Sequence, residues 1–567
     1  MHQVCFPWLA SVLSGERVSY VRMTLLIALT LGLFLVLAVR AVRETIALRR
    51  MRGGAAREHD MPRVARYFAG NDPPTRALPD RAWTDLDLDE VFQKLDRTAS
   101  WPGQHLLFAR LRREDHSASD LFAFEEGVGR LAGDDEIRAH IRAALTSLDH
   151  PRASALPALF QGALPSAPPF ATVYPLLSVA GVACLVAAFW WPPLVLGVAA
   201  LALTNVFIRV ALRERIDRTV AAMRMLPAML RASAALALLD GPGLALHAAS
   251  LRHAVPRLQW IGRASRWLSF DPRGSELVGM FYEYLNILFL LDVTTFAWCL
   301  DAIRAERESL RSAYEALGEL DCLQAVATLR LERQVWSAPE LCSGATCSLA
   351  FTGLTHPLLS EPVANSLDMR GRSVLLTGSN MSGKSTFIRT IGVNAVLAQT
   401  INTVFAERWH SPRCAVRTSI GHADSILDGT SYYRAEVDAV GALLNGGGER
   451  RLILVDELFR GTNSVERVAA AKAVLAHLDR GDDLVIVATH DIELLELLPG
   501  YAMFHFREEV RDGELTFDYR LHEGPCSTRN AIAILELAGY PRTVVEDARA
   551  TAAIRGAGSA DGQPVRA

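Results

Sequence analysis

Three spacings of apolar residues divide the chain. Residues 23–39, "MTLLIALTLGLFLVLAV", form one uninterrupted apolar run about a bilayer long, which predicts a membrane-spanning helix. A second block, roughly 174–208, carries "WWPP" at 190–193. Pro192 and Pro193 break a helix, so two short spans joined by a turn are expected. A third run, "YLNILFLLDVTTFAWCL" at 284–300, contains Asp292. A carboxylate in mid-span is costly, so this run reads as a buried helix of the water-facing part. Along "AIRAERESLRSAYEALGELDCLQAVATLRLERQ" charged and apolar residues alternate at helical spacing. Farther on, "SVLLTG", "RLILVD" and "DLVIVAT" are short apolar runs of the kind found in buried parallel strands.

Composition and charge sharpen this division. A chain of 567 residues has room for several domains, and a 50% hydrophobic content agrees with membrane segments. The mean hydropathy of +0.17 points the same way. A formal net charge of −3 gives no global sign of a polyanionic partner. Arg40, Arg43, Arg49, Arg50 and Arg52 follow the first run, and Arg209, Arg213 and Arg215 follow the second. Basic residues favour the cytoplasmic side, which puts 40–173 and 210–567 in the cytoplasm and Trp190 and Trp191 at the outer interface. A multi-pass protein of the cytoplasmic (inner) membrane is expected. Among eight cysteines only Cys342 and Cys347 lie close together, without CxxC pairs, so reduced thiols are expected.

Chemistry concentrates in "TGSNMSGKSTFIRT" at 377–390, where Gly, four residues, Gly, Lys and Ser fit a phosphate-cradling loop between a strand and a helix. Backbone N–H groups of Gly378, Asn380, Met381, Ser382, Gly383 and on to Thr386 would hold phosphate charge at the helix N-terminus. Lys384 would reach the β- and γ-phosphates, and Ser385 would ligate Mg²⁺. "RLILVDELFRGTN" at 451–463 ends a strand in Asp456, suited to Mg²⁺, and Glu457, suited to polarise the attacking water. "DLVIVATHD" at 483–491 ends in His490, where a γ-phosphate sensor would sit. ATP and Mg²⁺ are the expected ligands, and ATP hydrolysis the expected reaction.

Together these stretches resemble the MutS family of ABC-type ATPases. "GSNMSGKST" is similar to that family's P-loop, with Ser379 and Ser382 where the common form has Pro and Gly. "LVDELFRGTN" resembles its DE-x-x-RGT segment, and "ATHD" its switch-histidine segment. "GTSYYRAEV" at 429–437 resembles its signature stretch, keeping Ser431 and Glu436, and "LTHPLL" at 354–359 its His-Pro element. "LTFDYRLHEGPCSTRNAIAILELAGYPRTVVEDA" is similar to its closing segment. The resemblance implies a homodimer with composite ATP sites, in which Ser431 contacts the γ-phosphate held by the partner subunit. It puts Tyr519 near the adenine. Upstream, "LDEVFQKLDRTASWPGQHLLFARLR" at 88–112 and "YEALGELDCLQAVATL" at 314–329 resemble the family's core and lever helix more weakly.

Mismatch sensors of that family read DNA with an N-terminal domain carrying Phe-x-Glu, and with a core-like segment starting near residue 85 no such domain is expected here. "FYE" at 281–283 has that form, but Phe124, Phe405 and Phe506 also open Phe-x-Glu triplets, so helix packing is the better reading. The expected fold is an α/β P-loop (ABC-type) ATPase domain at the C-terminus, preceded by an all-α core and lever region and transmembrane helices. Its expected divisions are an anchor at 1–52, a linker at 53–84, core at 85–172, a transmembrane hairpin at 173–209, core and lever at 210–335, ATPase at 336–552 and a tail at 553–567. Two functional classes stay open. One is a membrane-anchored ATPase that also engages duplex DNA. The other is an ATP-driven membrane switch, or a transporter-like protein, without nucleic acid.

Overall fold

The structure is a computed structural model and describes residues 59–71, 76–166, 173–188, 190–266, 285, 289–344, 347–379, 381–421, 432–445, 449–459, 461–511, 514–525 and 539–558. The apolar run at 23–39 with its flanking arginines, the triplet at 281–283, and residues 380 and 431 lie outside them. The chain forms two compact units, each of several segments.

The first unit takes in residues up to 72, 98–107 and 133–325, and is helical. Two of its helices start where the sequence supplies a side-chain cap. Asp60 accepts from the Arg63 N–H ahead of helix Met61–Ala69, and Asp134 accepts from the Ile137 N–H ahead of Asp135–Leu145. The buried Asp321 fixes the turn before helix Trp101–Leu111, accepting from the Ala99 N–H (2.9 Å), the Ser100 hydroxyl and Gln324 Nε2 (2.7 Å). Any side chain at Gly103 would collide with that carboxylate, which explains the glycine there. Helix Leu291–Ala305 buries Val293, Phe296, Cys299, Leu300 and Ile303, in line with a packed helix in the third apolar run.

The second apolar block forms helices Val173–Ala187 and Leu194–Met223, which pack on each other across the "WWPP" turn. The membrane expectation needs correction here. Among the described residues one stretch, Leu194–Leu212, is long and apolar enough to cross a bilayer; its mean hydropathy is 2.1 and 6% of it is buried. Val173–Ala187 has 15 residues, about 22 Å of helix against a hydrocarbon core of about 30 Å. The second helix also continues without a break to Met223, past the arginines taken to mark its end.

The second unit comprises residues 73–97, 108–132 and 326–567. Its strands are β1 (Glu340–Cys342), β2 (Ala350–Leu354), β3 (Asn365–Asp368), β4 (Val374–Thr377), β5 (Arg408–Pro412), β6 (Ala415–Ile420), β7 (Arg451–Asp456), β8 (Leu484–Ala488), β9 (Ala502–His505), β10 (Glu508–Arg511), β11 (Glu514–Phe517) and β12 (His522–Glu523). The main sheet has the order β12-β9-β4-β8-β7-β6, parallel except for β12. Strands β4, β7 and β8 are buried almost throughout, as their continuous apolar sequences require. A smaller sheet, β1-β5-β2-β3, packs the stacked rings of Phe351 and Trp409.

Part of the expected upstream core belongs to this second unit. Asp85, fully buried at the end of helix Asp80–Asp85, accepts from Thr418 Oγ1 (2.6 Å) and the Ile420 N–H (3.0 Å) at the end of β6. Arg330 donates both Nη groups to Glu125 (2.8 and 2.7 Å) on helix Ala118–Ala132. Burial pushes the Glu125 carboxyl up, but the Arg330 hydrogen bonds and charge outweigh it and hold it below the usual range. The cysteine expectation changes for one pair: Cys342 and Cys347 are joined in a disulfide, whereas Cys184, Cys299, Cys322 and Cys414 are free.

Candidate nucleotide site

Strand β4 lies between β8 and β9, so the loop after it opens at the C-terminal edge of the parallel sheet, where such sheets bind ligands. Gly378 leaves the strand with φ +141°, and a Cβ there would stand 2.6 Å from the Phe506 carbonyl oxygen. Gly383, at φ +105°, caps helix Lys384–Thr400, and a Cβ would come within 3.3 Å of the Tyr519 ring. Both positions require glycine. The buried Lys384 ammonium donates to the carbonyls of Gly378 (2.8 Å) and Ser379 (2.7 Å). Ser382 is buried, and its hydroxyl has no hydrogen-bond partner among the described residues. A glycine cradle, a lysine and an unsatisfied hydroxyl at a helix N-terminus fit a bound polyphosphate.

A cleft of about 740 Å³ runs from this loop. Met381, Gly383, Lys384, Ser385, Thr386, Asp456, Glu457 and Tyr519 line it together, and so do His356 and Arg389. Burial pushes the His356 imidazole down to about 4, so it is neutral near pH 7. Ser385 and Asp456 supply a hydroxyl and a carboxylate to one cleft, a donor pair suited to Mg²⁺. Residues 380 and 431 are outside the described part, so the structure does not place those two expectations.

Beyond β7 the backbone is forced. Glu457 has φ 59° and Phe459 φ 59°, left-handed conformations that cost a non-glycine residue about 1–3 kcal/mol each. Three contacts hold this strap. The Glu457 N–H donates to the Ala488 carbonyl at 2.9 Å, tying it to β8. Leu458 and Phe459 sit in the apolar core with Leu375, Ile453, Val455 and Val487. The buried Glu436, on helix Tyr432–Leu444, accepts a short hydrogen bond from the Phe459 N–H. As a result the Glu457 carboxylate faces the cleft, 2.8 Å from His490 Nε2. The carboxylate and imidazole singled out separately in the sequence are direct partners.

Two contributors escaped the sequence reading. Glu508, buried on β10, accepts from Ser379 Oγ at 2.6 Å, a bond that a proline at 379 could not make. Asn365 on β3 donates to the Tyr519 carbonyl (3.0 Å) and accepts from the Leu521 N–H (2.8 Å), fixing the chain that carries the Tyr519 ring. The serine at 379 was visible as a departure from the common loop; Glu508 and Asn365 gave no local signal.

Comparison with known proteins agrees with this geometry. Residues 374–554 match the family described as MutS domain V. This region is a MutS-type, ATP-hydrolysing domain. The chain is 36% identical over 252 residues to a protein of Thermus thermophilus named DNA mismatch repair protein MutS, covering 44% of this chain and 30% of that one. Relatives of the same name from Thermus aquaticus (36% over 254 residues; 44% and 31%) and Aquifex pyrophilus (32% over 244 residues; 41% and 28%) match similarly. The chain spans about 30% of the length of these curated relatives.

Proposed function

We propose that the whole chain is a membrane-associated, MutS-like ATPase that works as a homodimer and uses ATP hydrolysis to drive a conformational change. The observation that carries the chemistry is the convergence of Lys384, Ser385, Asp456 and Glu457 on one cleft, with His490 against Glu457. Lys384 and the loop N–H groups of Gly378 to Thr386 bind the phosphates of ATP, and Tyr519 borders the base. Ser385 and Asp456 would hold Mg²⁺, which when bound draws charge from the phosphate oxygens. Glu457 takes a proton from water as its oxygen bonds to the γ-phosphorus; the bridging P–O bond breaks, leaving ADP and phosphate. His490, within 2.8 Å of Glu457, orients that carboxylate and follows the γ-phosphate. Ser431 would complete the site of the partner subunit.

Membrane association rests on the exposed apolar residues of two neighbouring helices, including Leu176, Val179, Leu185, Leu196, Leu203 and Phe207. Such a surface has no favourable place in water, and lipid is the occupant that its composition suits. The localisation proposed is the cytoplasmic membrane, with the ATPase domain in the cytoplasm.

A second reading, duplex DNA binding, is favoured by the name DNA mismatch repair protein that the relatives carry. The two readings part on duplex binding by the full chain in nanodiscs, with and without ATP, across a salt series. Binding with a steep salt dependence supports the DNA reading. Its absence, with hydrolysis intact, supports the membrane switch. For the chemistry, Glu457→Gln is expected to bind ATP normally and to hydrolyse it about 10²- to 10⁴-fold more slowly. Unchanged turnover would overturn the assignment of the base.

A further inference from the structure

The edge of the smaller sheet gathers three side chains that ATP hydrolysis does not use. Parallel pairing of β1 with β5 sets Glu340 beside His410 and Leu341 beside Ser411. Cys342, two residues on from Glu340, projects from the same face of β1. The chain then turns at Gly344, whose φ of +111° suits glycine. The Cys347 N–H donates to the Gly344 carbonyl (3.2 Å), as does Arg450 Nη1 (3.3 Å), and this folds the chain back. One ligand atom each from Cys342, Cys347 and His410 lies within 4.8 Å of the others. Glu340 Oε2 stands 3.5 Å from His410 Nδ1. Cys347 is buried, whereas Cys342 and His410 are half-buried, so the cluster has a closed side and an open one.

We propose that Cys342, Cys347 and His410, with the cysteines reduced, form a zinc-binding site. Two thiolates and one imidazole are a common zinc donor set, and the fourth tetrahedral position is open to water. A carboxylate against a ligating histidine orients the ring and raises its basicity, which is the place Glu340 already has. A disulfide alone requires neither group. The step from the bonded pair is balanced by a dithiol reductant. It gives two electrons and two protons to the Cys342–Cys347 bond, yielding two thiols and its own disulfide. Zinc then displaces both thiol protons. The ion would hold the turn after β1 to β5, some way in sequence from the nucleotide loop.

The test uses the full-length protein in detergent, reduced with a phosphine, loaded with zinc chloride, desalted, and assayed for metal content and free thiols. About one zinc per chain is expected, with two fewer titratable thiols in the loaded than in the metal-free form. Cys347→Ser and His410→Ala should each lower retained zinc at least tenfold while ATP hydrolysis continues, which shows that the variants are folded. Cys414→Ser, altering a free cysteine outside the cluster, should retain zinc. Reduced wild type that holds no zinc overturns the proposal. So does zinc retained undiminished in both cluster variants.

Discussion

Glu436 should control turnover without touching nucleotide. Its carboxylate is buried and accepts from the Phe459 N–H, at the far end of the strap that turns Glu457 into the cleft. The strap holds two left-handed residues, Glu457 and Phe459, at about 1–3 kcal/mol each. Depriving a buried donor of its acceptor costs about 1–3 kcal/mol, comparable to the strain on one of them. Glu436→Ala leaves the Phe459 N–H buried without that acceptor, so the strap should relax. A loss of about 1–3 kcal/mol in transition-state positioning corresponds to about a 5- to 150-fold fall in kcat. Glu436 is not among the cleft-lining residues, so the KM for ATP should stay within about threefold of wild type. Glu436→Gln keeps an oxygen acceptor and should recover part of the rate. Phosphate release at saturating ATP measures kcat, and a fluorescent ATP analogue reports binding. A kcat unchanged in a folded Glu436→Ala would refute the coupling; a rise in KM with kcat unchanged would place Glu436 in binding instead.

Two further outcomes follow from the loop and from the cleft. Gly378→Ala puts a methyl 2.6 Å from the Phe506 carbonyl at a φ of +141°, so ATP affinity should fall at least tenfold, read by equilibrium binding. Burial lowers the His356 imidazole from an ordinary 6.5 to about 4, so the unfolded chain binds more protons between those values. Its contribution to stability is therefore complete above pH 6.5 and lost as pH falls toward 4, at roughly 1.4 kcal/mol per unit. Urea unfolding of the ATPase-bearing unit against pH should show that slope, and His356→Asn should flatten it.

The nucleotide domain was legible because its signals are local. Strands β4, β7 and β8 are short apolar runs, and the residues that line the cleft directly follow two of them. Glu508 and Asn365 were not legible, since each reaches the site through strand pairing or a loop contact more than a hundred residues away in sequence. His410 joins Cys342 for the same reason: pairing of β1 with β5 brings it there. The apolar block at 174–208 was correctly divided by its prolines. Its second helix runs on past the arginines because nothing in "RVALRERIDRTVAAM" breaks a helix, and charge alone does not end one. Helix Asp80–Asp85 was expected to lie in a linker at the edge of the core, yet the buried Asp85 joins it to β6 through two hydrogen bonds that composition does not reveal.

Lys384 shows how the loop is set to recognise charge. The residue is 5% exposed, and its ammonium donates to two backbone carbonyls, Gly378 and Ser379. An incoming ligand must replace those bonds with better ones. The ammonium assists both sets of bonds, but phosphate oxygens carry negative charge of their own where carbonyls carry only a dipole, so the exchange is favourable for a polyphosphate and not for a neutral group. Ser379 is also held from β10 by Glu508, which keeps the loop from following the lysine when it turns outward. The strap beyond β7 works in the opposite sense. There the strain at Glu457 and Phe459 is offset by the core and by Glu436, so the fold's own contacts set the carboxylate's position. On the proposed chemistry the site combines a lysine that changes partners on binding with a carboxylate that the fold holds still.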